Sequence, residues 1–463
     1  MTNIHQFPKT PDYTMAGQAV PPEYSEEALA LEFASMHAND LRYVATLGRW
    51  MKWNGTLWAK DEKLEARRLF REFCRTVSSK CSSLPIGMKL ASAKTIAATE
   101  QLAKADTNFA GTVDQWDANP WLLNTPGGTV DLRTGAISPH ARTDYCTKIT
   151  AAAPEGKCPL WEEFLSQIFK GDTELIAFIK RMTGYSLTGE TKEHALLFLY
   201  GTGANGKSSL AGTLAGVLGD YHRAAPIETF TSSNFDRHPT EVARLCGARL
   251  VTATETEEGR AWAESRIKQL TGGDRISARL MRQDFFEFQP QFKLLVMGNH
   301  KPSFKSVDEA IRRRLHLIPF KVTIPPADRD PDLADKLKKE WPGILAWAIE
   351  GCLEWQKMGG LKPPNAVIQA TADYLEAEDT SALWLEECCQ KHPDGWESSK
   401  NLFESWSGWA QARGEAVGGI KKLAQLLESK GFAKKSNGKS RGFAGISLLE
   451  KPIAYPSPTH LGL

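Results

Sequence analysis

The chain has 463 residues, enough for about three domains at ~150 residues each. Its 41% hydrophobic and 24% charged residues are typical of a globular protein, and no stretch approaches the ~18 apolar residues of a membrane span. The net charge of +2 does not indicate nucleic-acid binding by itself, so any such contact must use local basic patches. The eight cysteines form no Cys-x-x-Cys pair, which argues against a zinc site or a disulfide framework.

The N-terminal part predicts a tail followed by a small α+β domain. Residues 1–22 contain four prolines and few apolar residues, and residues 23–37 are predicted to be helical. Asn54-Gly55 predicts a hairpin within residues 49–58, because this pair supplies the positive φ that a tight two-residue turn needs. Three tryptophans flank the turn. They could stack nucleobases, but such a group more often forms the core of a small domain.

Short strands and two helices are predicted next. Residues 117–135 alternate turn residues with short apolar pieces, a pattern typical of short strands joined by tight turns. An amphipathic helix is predicted from Pro159 to Gly171, and a second helix closes at Gly184. No catalytic group of residues is evident in this part of the chain.

A strand, a glycine-rich loop and a helix follow in direct succession. Residues 195–200 are an unbroken apolar run, and apolar residues recur at helical spacing from Leu210 to Leu218. Between them stands a Walker A pattern, in which glycines turn backbone N–H groups toward phosphate oxygens at a helix N-terminus. Lys207 would reach the outer phosphates, and the Ser208 hydroxyl would ligate Mg²⁺. The predicted ATP-binding residues are Gly201, Thr202, Gly203, Ala204, Asn205, Gly206, Lys207, Ser208 and Ser209.

Two later strands are predicted to end in polar residues that suit triphosphate hydrolysis. The run from Ala248 ends in carboxylates, of which Glu255 is assigned the metal role and Glu257 the water-positioning role, with Glu258 as its substitute. The second strand ends at Asn299, whose amide could contact the γ-phosphate or the attacking water.

Two arginine-rich segments accompany these strands. Arg312, Arg313 and Arg314 are consecutive and could either stabilise charge on a transferring phosphate or form a basic helix face. Between the two strands, residues 268–288 predict a hairpin with its tip near 282–284 that could grip a phosphate backbone. Its arginines are Arg275, Arg279 and Arg282.

The C-terminal region predicts helices followed by a basic hairpin with Asn437-Gly438 at its turn. Residues 420–445 carry seven basic residues against one acidic residue, a local balance of +6. This pattern suggests a winged-helix module on duplex DNA, although it is also compatible with a solvated face. The predicted contacts are Lys421, Lys422, Lys439 and Arg441.

In their order along the chain, these motifs resemble those of superfamily 3 helicases, most closely the helicase part of phage and plasmid primase-helicases related to the poxvirus primase-helicase. The resemblance implies an AAA+-like α/β core that forms a hexameric ring and moves along single-stranded DNA using ATP and Mg²⁺. It also implies that Asn299 is the sensor residue, that Arg313 or Arg314 enters the neighbouring subunit's site, and that the hairpin contacts DNA. The sequence departs from the family at Gln283, where a lysine is expected at the hairpin tip.

The resemblance implies a replicative helicase of a mobile element in a bacterial host cytoplasm, which could also bind its origin. About 22 loose residues leave no room for a preceding primase domain, so priming would need a separate protein. The predicted fold is α/β with an α+β N-terminal domain and a winged-helix-like C-terminal domain. Its predicted parts are a tail (1–22), the N-terminal domain (23–155), a helical collar (156–190), the ATPase core (191–345), a helical linker (346–378), the winged-helix-like domain (379–447) and a second tail (448–463).

Two rival functions stay open at this point. A small-molecule kinase would share the glycine loop but should offer an acceptor site and a lid. An ATP-switched initiator would bind DNA without processive unwinding.

Overall fold

The structure is a computed structural model, and it describes residues 20–232, 240–254, 260–279, 281, 285–304, 307–378, 380–413 and 417–449. The chain divides into two compact units. The first contains Met1–Pro302 with Arg313–Ile368, and the second contains Ser303–Arg312 with Gln369–Leu463. Within the described ranges, no helix is both long and apolar enough to cross a membrane.

The helices are numbered in chain order. They are α1 (Glu26–His37), α2 (Glu65–Lys80), α3 (Leu84–Leu90), α4 (Ala93–Ala103), α5 (Pro159–Ile168), α6 (Thr173–Leu187), α7 (Lys207–Leu218), α8 (Thr240–Ala243), α9 (Glu264–Thr271), α10 (Glu309–Arg312), α11 (Leu333–Lys339), α12 (Trp341–Met358), α13 (Asn365–Ala377), α14 (Thr380–Cys388), α15 (Ser399–Ala412) and α16 (Ile420–Ser429).

The strands are numbered in the same way. They are β1 (Leu41–Val44), β2 (Arg49–Trp53), β3 (Trp58–Lys60), β4 (Ala110–Gly111), β5 (Leu122–Thr125), β6 (Gly128–Asp131), β7 (Ala136–Ser138), β8 (Leu196–Tyr200), β9 (His222–Ala224), β10 (Leu250–Thr254), β11 (Ile276–Arg279), β12 (Phe285–Phe288), β13 (Lys293–Gly298), β14 (Leu315–Pro319), β15 (Cys389–Ser398), β16 (Ala433–Ser436) and β17 (Arg441–Leu448).

The first part of the chain packs α1, α2 and α4 with a small sheet of order β3-β2-β1-β4. The predicted hairpin between β2 and β3 is confirmed, but its turn differs from the prediction. Only Gly55 has positive φ, at 104°, and Asn54 instead accepts hydrogen bonds from the backbone N–H groups of Thr56 and Leu57. An asparagine side chain that bonds the backbone ahead of it reverses the chain without a left-handed asparagine.

The three tryptophans of this hairpin are core residues. Trp58 is fully buried, and Trp50 and Trp53 are 6% and 9% exposed. Trp58 also donates a hydrogen bond of 2.9 Å from its indole nitrogen to the Arg142 carbonyl oxygen. Because buried rings offer no face to a nucleobase, the base-stacking alternative for these tryptophans is wrong and the core alternative is confirmed.

The second helical segment continues beyond its predicted end. Gly184 was expected to close α6, but the helix runs to Leu187. Gly184 instead allows close packing of α6 on α12, because a Cβ at this position would overlap the backbone at Gly351 and Cys352. The glycine therefore serves helix–helix contact, which a local reading of the sequence cannot distinguish from a helix stop.

A parallel five-stranded sheet of order β14-β8-β13-β10-β9 forms the centre of the first unit. The predicted strands before the glycine loop, before the carboxylates and before Asn299 are all confirmed, as β8, β10 and β13. Their apolar residues are buried on both faces, as is usual where helices cover a parallel sheet.

Two buried cations attach the preceding segments to the amino edge of this sheet. Arg249, 1% exposed, donates to the carbonyl oxygens of Leu187 and Leu122 at 2.6 Å each. Lys293, also 1% exposed, donates to the carbonyl oxygens of Thr188 and Glu190. Burial lowers the pKa of Lys293 well below its ordinary value.

Among its described residues, the second unit contains a three-stranded sheet of order β15-β17-β16, the helices α10, α14, α15 and α16, and most of α13. The helices predicted in this region, now α14, α15 and α16, and the hairpin of β16 and β17 are confirmed. The strand β15, which lies between α14 and α15 and pairs with β17, is not predicted by the sequence pattern. Its run Gln-Lys-His-Pro-Asp-Gly has no alternating apolar pattern, so its pairing with β17 is decided by tertiary contact.

Candidate functional site

Three strand ends meet at the carboxyl edge of the parallel sheet. In the observed register Gly298 is opposite Tyr200, and Thr254 is opposite Met297. The glycine loop that follows β8 therefore begins beside Asn299 at the end of β13, and the end of β10 lies one strand further along. A cavity of about 290 Å³ occupies this edge, lined by the loop from Gly203 to Ser209 and by Thr254, Met297, Gly298 and Asn299.

The loop has the backbone shape that a phosphate cradle requires. Gly203, Ala204 and Gly206 have positive φ values of 107°, 48° and 86°. Gly206 precedes the first residue of α7, so the N-terminus of this helix opens into the cavity. Helix N-termini carry unpaired N–H groups and partial positive charge, which favour an anion.

Lys207 is the charged side chain among the described residues that line this cavity. It is 6% exposed, and its ammonium group donates to the Gly201 carbonyl oxygen at 2.6 Å and to the Asn299 and Asn205 side-chain oxygens at 3.0 and 3.1 Å. Burial lowers the pKa of Lys207. All three acceptors are neutral, so an anionic ligand would supply charge compensation that these contacts lack.

Asn205 provides a second unsatisfied group at the loop. The residue is 3% exposed, its Oδ1 accepts from Lys207, and its Nδ2 is buried without a hydrogen-bond partner among the described residues. A buried donor without an acceptor is costly in a folded protein. The buried cation and the helix N-terminus that opens into the cavity fit a ligand rich in anionic oxygens, so the residues present suit a nucleoside triphosphate.

Of the other residues predicted to act at this edge, the structure describes Ser208 but not the three glutamates after β10. Ser208 is exposed at the start of α7, in reach of the cavity that it lines. Glu255, Glu257 and Glu258 lie outside the described residues, directly after the last residue of β10.

The structure separates the two arginines that the sequence left as alternatives. Arg314 is 6% exposed, and its Nε donates to the Thr271 hydroxyl oxygen at 3.2 Å, at the end of α9. Arg313 is exposed. A side chain that is buried in its own subunit cannot reach a neighbouring one without unpacking, so in this conformation Arg314 stabilises its own subunit, whereas Arg313 is accessible.

The predicted arginine-bearing hairpin is confirmed as β11 and β12, with Arg279 opposite Phe285. Its predicted start at residue 268 is wrong, because residues 268–271 form the end of α9. Arg275 lies just before it and pairs with Asp114 at 2.8 Å, with Glu287 at 3.8 Å. Its charge is therefore shared with two carboxylates. Arg282 and Gln283 lie outside the described residues.

The predicted duplex contacts of the second unit lie on its surface. Lys421 and Lys422 are exposed near the start of α16, and Lys439 and Arg441 are exposed at the turn between β16 and β17. The Asn437 side chain accepts from the backbone N–H groups of Lys439 and Ser440, which fixes this turn. Across 417–449, none of these four cations forms an ion pair with a described residue, whereas Lys434 pairs with Glu428 at 2.8 Å.

Comparison with protein families finds two matches that together cover most of the first unit. Residues 30–170 match the family described as D5 N terminal like. Residues 199–314 match a family of unknown function, DUF5906. The chain thus combines a D5 N-terminal-like domain with a DUF5906 region, and the predicted resemblance to primase-helicases is confirmed.

The curated relatives are viral proteins named as helicases. A protein of Acanthamoeba polyphaga mimivirus is 28% identical over 300 residues, 59% of this chain and 31% of its own length. "Putative helicase 022R" of Frog virus 3 is 27% identical over 309 residues, 62% of this chain and 30% of its own length. The chain therefore spans about a third of the length of these relatives.

Among solved structures, the apo structure of the NrS-1 C-terminal region aligns with a TM-score of 0.49 and 10% sequence identity. The alignment covers 92% of this chain and 100% of that one.

Proposed function

We propose that the chain is an ATP-driven DNA helicase of superfamily 3 that replicates a phage, plasmid or other mobile element. The observation that carries this proposal is the meeting of Lys207, Asn205 and Asn299 at the carboxyl edge of a parallel sheet, around a loop shaped for phosphates. The D5 N-terminal-like match and the helicase names of the viral relatives support the same class.

The proposed roles at the nucleotide site combine this geometry with the sequence assignments of Glu255 and Glu257. The backbone of residues 201–209 and the N-terminus of α7 would hold the phosphates, and Lys207 would exchange its neutral oxygen partners for phosphate oxygens. Ser208 would ligate Mg²⁺ together with Glu255, and Glu257 would orient water. Hydrolysis of the bound triphosphate supplies the free energy for movement along DNA.

Asn299 would act as the sensor of the bound phosphate. Its Oδ1 accepts a hydrogen bond of 3.0 Å from the Lys207 ammonium group, so the phosphate oxygens of an entering triphosphate would compete with Oδ1 for this donor. Release of Asn299 from Lys207 would move the end of β13, which lies next to β10 and its following carboxylates. Binding of a triphosphate at the glycine loop would thereby be coupled to β10, the strand that precedes the predicted catalytic carboxylates.

The proposed active form is a ring, in line with the hexamers that the family resemblance implies. In it, Arg313 of one subunit would enter the site of the next, and the hairpins of β11 and β12 would hold one DNA strand in the channel. An AAA+-like core is supported by the strand order, in which β13 lies between the strand of the glycine loop and the strand before the carboxylates. A separate primase would supply primers.

The experiment that tests this function is strand displacement on a forked DNA duplex, with ATP and with a non-hydrolysable analogue. We expect displacement only with ATP, together with ATP hydrolysis that single-stranded DNA stimulates. Hydrolysis without DNA stimulation would favour a small-molecule kinase. ATP binding and DNA binding without displacement would favour the second candidate function, an ATP-switched initiator.

The second candidate is kept because of the exposed cations of the second unit. The element order of this part is α14, β15, α15, α16, β16, β17. This order, with helices followed by a β-hairpin, supports a winged-helix-like module. Such modules bind duplex DNA through a helix and the hairpin. Origin recognition by this unit is compatible with either an active helicase or a switched initiator.

Replacing both Lys439 and Arg441 with alanine is expected to weaken duplex binding. The logarithm of the affinity falls linearly with the logarithm of the salt concentration, and each phosphate contact adds ~0.9 to the steepness of this fall. The slope of the double variant should therefore be shallower by roughly 2. Binding measured by fluorescence anisotropy over a salt series provides the test. Lys434→Ala is the matched control, since this lysine of the same hairpin already pairs with Glu428. Equal slopes for the double variant and the parent protein would remove these residues from the interface.

A further inference from the structure

The two faces of the hairpin formed by β11 and β12 differ in composition. Ile276, Ala278 and Phe288 lie on one face and are buried. On the other face Ser277 and Glu287 are exposed and opposite each other, as expected of a solvated surface. Phe285 lies on this solvated face and is 58% exposed.

Phe285 therefore breaks the alternation that the rest of the hairpin follows. Its neighbour toward the tip, Met281, is 70% exposed. Scattered exposed apolar residues are common, but Phe285 is a large ring on the solvated face of a hairpin, and the described fold does not bury it. This points to a ligand or partner at the tip.

Arg279 gives this surface its charge and its shape. It is opposite Phe285 in the register, and its guanidinium carbon lies 4.7 Å from the centre of the Phe285 ring. Guanidinium groups stack on aromatic rings and also contact phosphates. The Thr240 hydroxyl donates to the Arg279 carbonyl oxygen at 3.0 Å, which holds this strand against α8.

The charge of Arg279 differs from that of the other described hairpin arginine. Arg275 pairs with Asp114 and lies near Glu287, whereas Arg279 forms no ion pair within the described part of the hairpin. The positive charge next to Phe285 is therefore available to an anionic backbone. An aromatic face beside an available cation complements a base and its adjacent phosphate together.

We propose that Phe285 is a base-stacking platform for single-stranded DNA, with Arg279 behind the ring and in reach of a neighbouring phosphate. The proposal rests on the proposed function, because it concerns the same hairpin, and it adds that bases as well as phosphates are held. Bases of duplex DNA are already stacked on each other, so the platform selects unpaired strands. Stacking is also tolerant of sequence, which suits a protein that moves along DNA.

The test compares two labelled single strands of equal length, oligo-dT and an abasic strand with the same phosphates. Phe285→Ala is expected to weaken oligo-dT binding by about tenfold or more and to leave abasic binding within about twofold. Phe285→Tyr should restore oligo-dT binding, since it keeps the ring. Met88→Ala is the matched control, because it removes an apolar side chain that is 69% exposed from α3 and leaves the hairpin unchanged, so binding of both strands should stay at the parent level.

Arg279 provides an independent variant. Arg279→Lys keeps the charge but not the planar group, so we expect oligo-dT binding to fall while abasic binding is kept. Arg279→Ala should weaken both ligands, because the phosphate contact is lost as well. Thermal unfolding of each variant shows whether the hairpin still folds.

Three results would overturn the platform. One is equal weakening of oligo-dT and abasic binding by Phe285→Ala, and another is unchanged binding of both. The third is a loss of oligomer mass in Phe285→Ala with unchanged DNA affinity, which would make the ring a contact between subunits. If the parent protein itself fails to bind oligo-dT, the proposed function fails first, so the two failures are distinguishable.

Discussion

Lys207→Ala is expected to abolish ATP hydrolysis and strand displacement, with a loss of at least about a hundredfold in the hydrolysis rate. The ammonium group is the buried cation of the cavity, and its three present partners are neutral oxygens. Alanine would leave developing charge on the transferring phosphate without this compensation. Phosphate release measured with and without single-stranded DNA provides the test.

The control for this variant is Lys339→Ala, which removes an exposed lysine of α11 with the same change in net charge. It should hydrolyse ATP at the parent rate. Thermal unfolding of Lys207→Ala should show a folded protein, which separates lost chemistry from lost structure. A folded Lys207→Ala protein that hydrolyses ATP at the parent rate would contradict the assignment of the glycine loop.

A mixture of Lys207→Ala and Arg313→Ala proteins is expected to recover ATP hydrolysis that neither variant has alone. Arg313 is exposed, whereas Arg314 is buried against Thr271, so of these two arginines only Arg313 is placed to reach a neighbouring subunit. In a mixed ring, some interfaces combine an intact Lys207 from one subunit with an intact Arg313 from the next. Hydrolysis measured against the mixing ratio should pass through a maximum.

The control mixture contains Lys207→Ala and the double variant Lys207→Ala with Arg313→Ala. No interface in this mixture has an intact Lys207, so it should stay inactive at every ratio. Absence of recovery in the first mixture, with oligomers of normal mass, would show that Arg313 acts within its own subunit or has no catalytic role. Full activity of Arg313→Ala alone would exclude the arginine altogether.

Local patterns were sufficient for most of the secondary structure around the site. The glycine loop, the apolar run before it and the helix after it are contiguous, so their order alone predicts β8, the loop and α7. The hairpin of β11 and β12 was likewise predicted from alternation. In each case neighbouring residues carry the information, and no distant contact is needed to decide the element.

Predictions failed where a residue type has two uses. Gly184 was interpreted as a helix stop, but it is the residue that lets α6 approach α12. Glycine favours both helix ends and close helix contacts, and only the position of the second helix distinguishes them. The strand β15 was not predicted for a different reason. Its residues have a weak strand preference, and its pairing with β17 compensates for it.

The sequence by itself determined the proposed class of site, because the glycine loop from Gly201 to Ser209 is specified by consecutive residues. Tertiary structure alone decided which distant side chains complete it. Asn299 meets Lys207 because β13 is the neighbour of β8, and Arg314 is buried because its guanidinium bonds Thr271. Strand order and burial depend on contacts between residues far apart in the chain, so no local pattern encodes them.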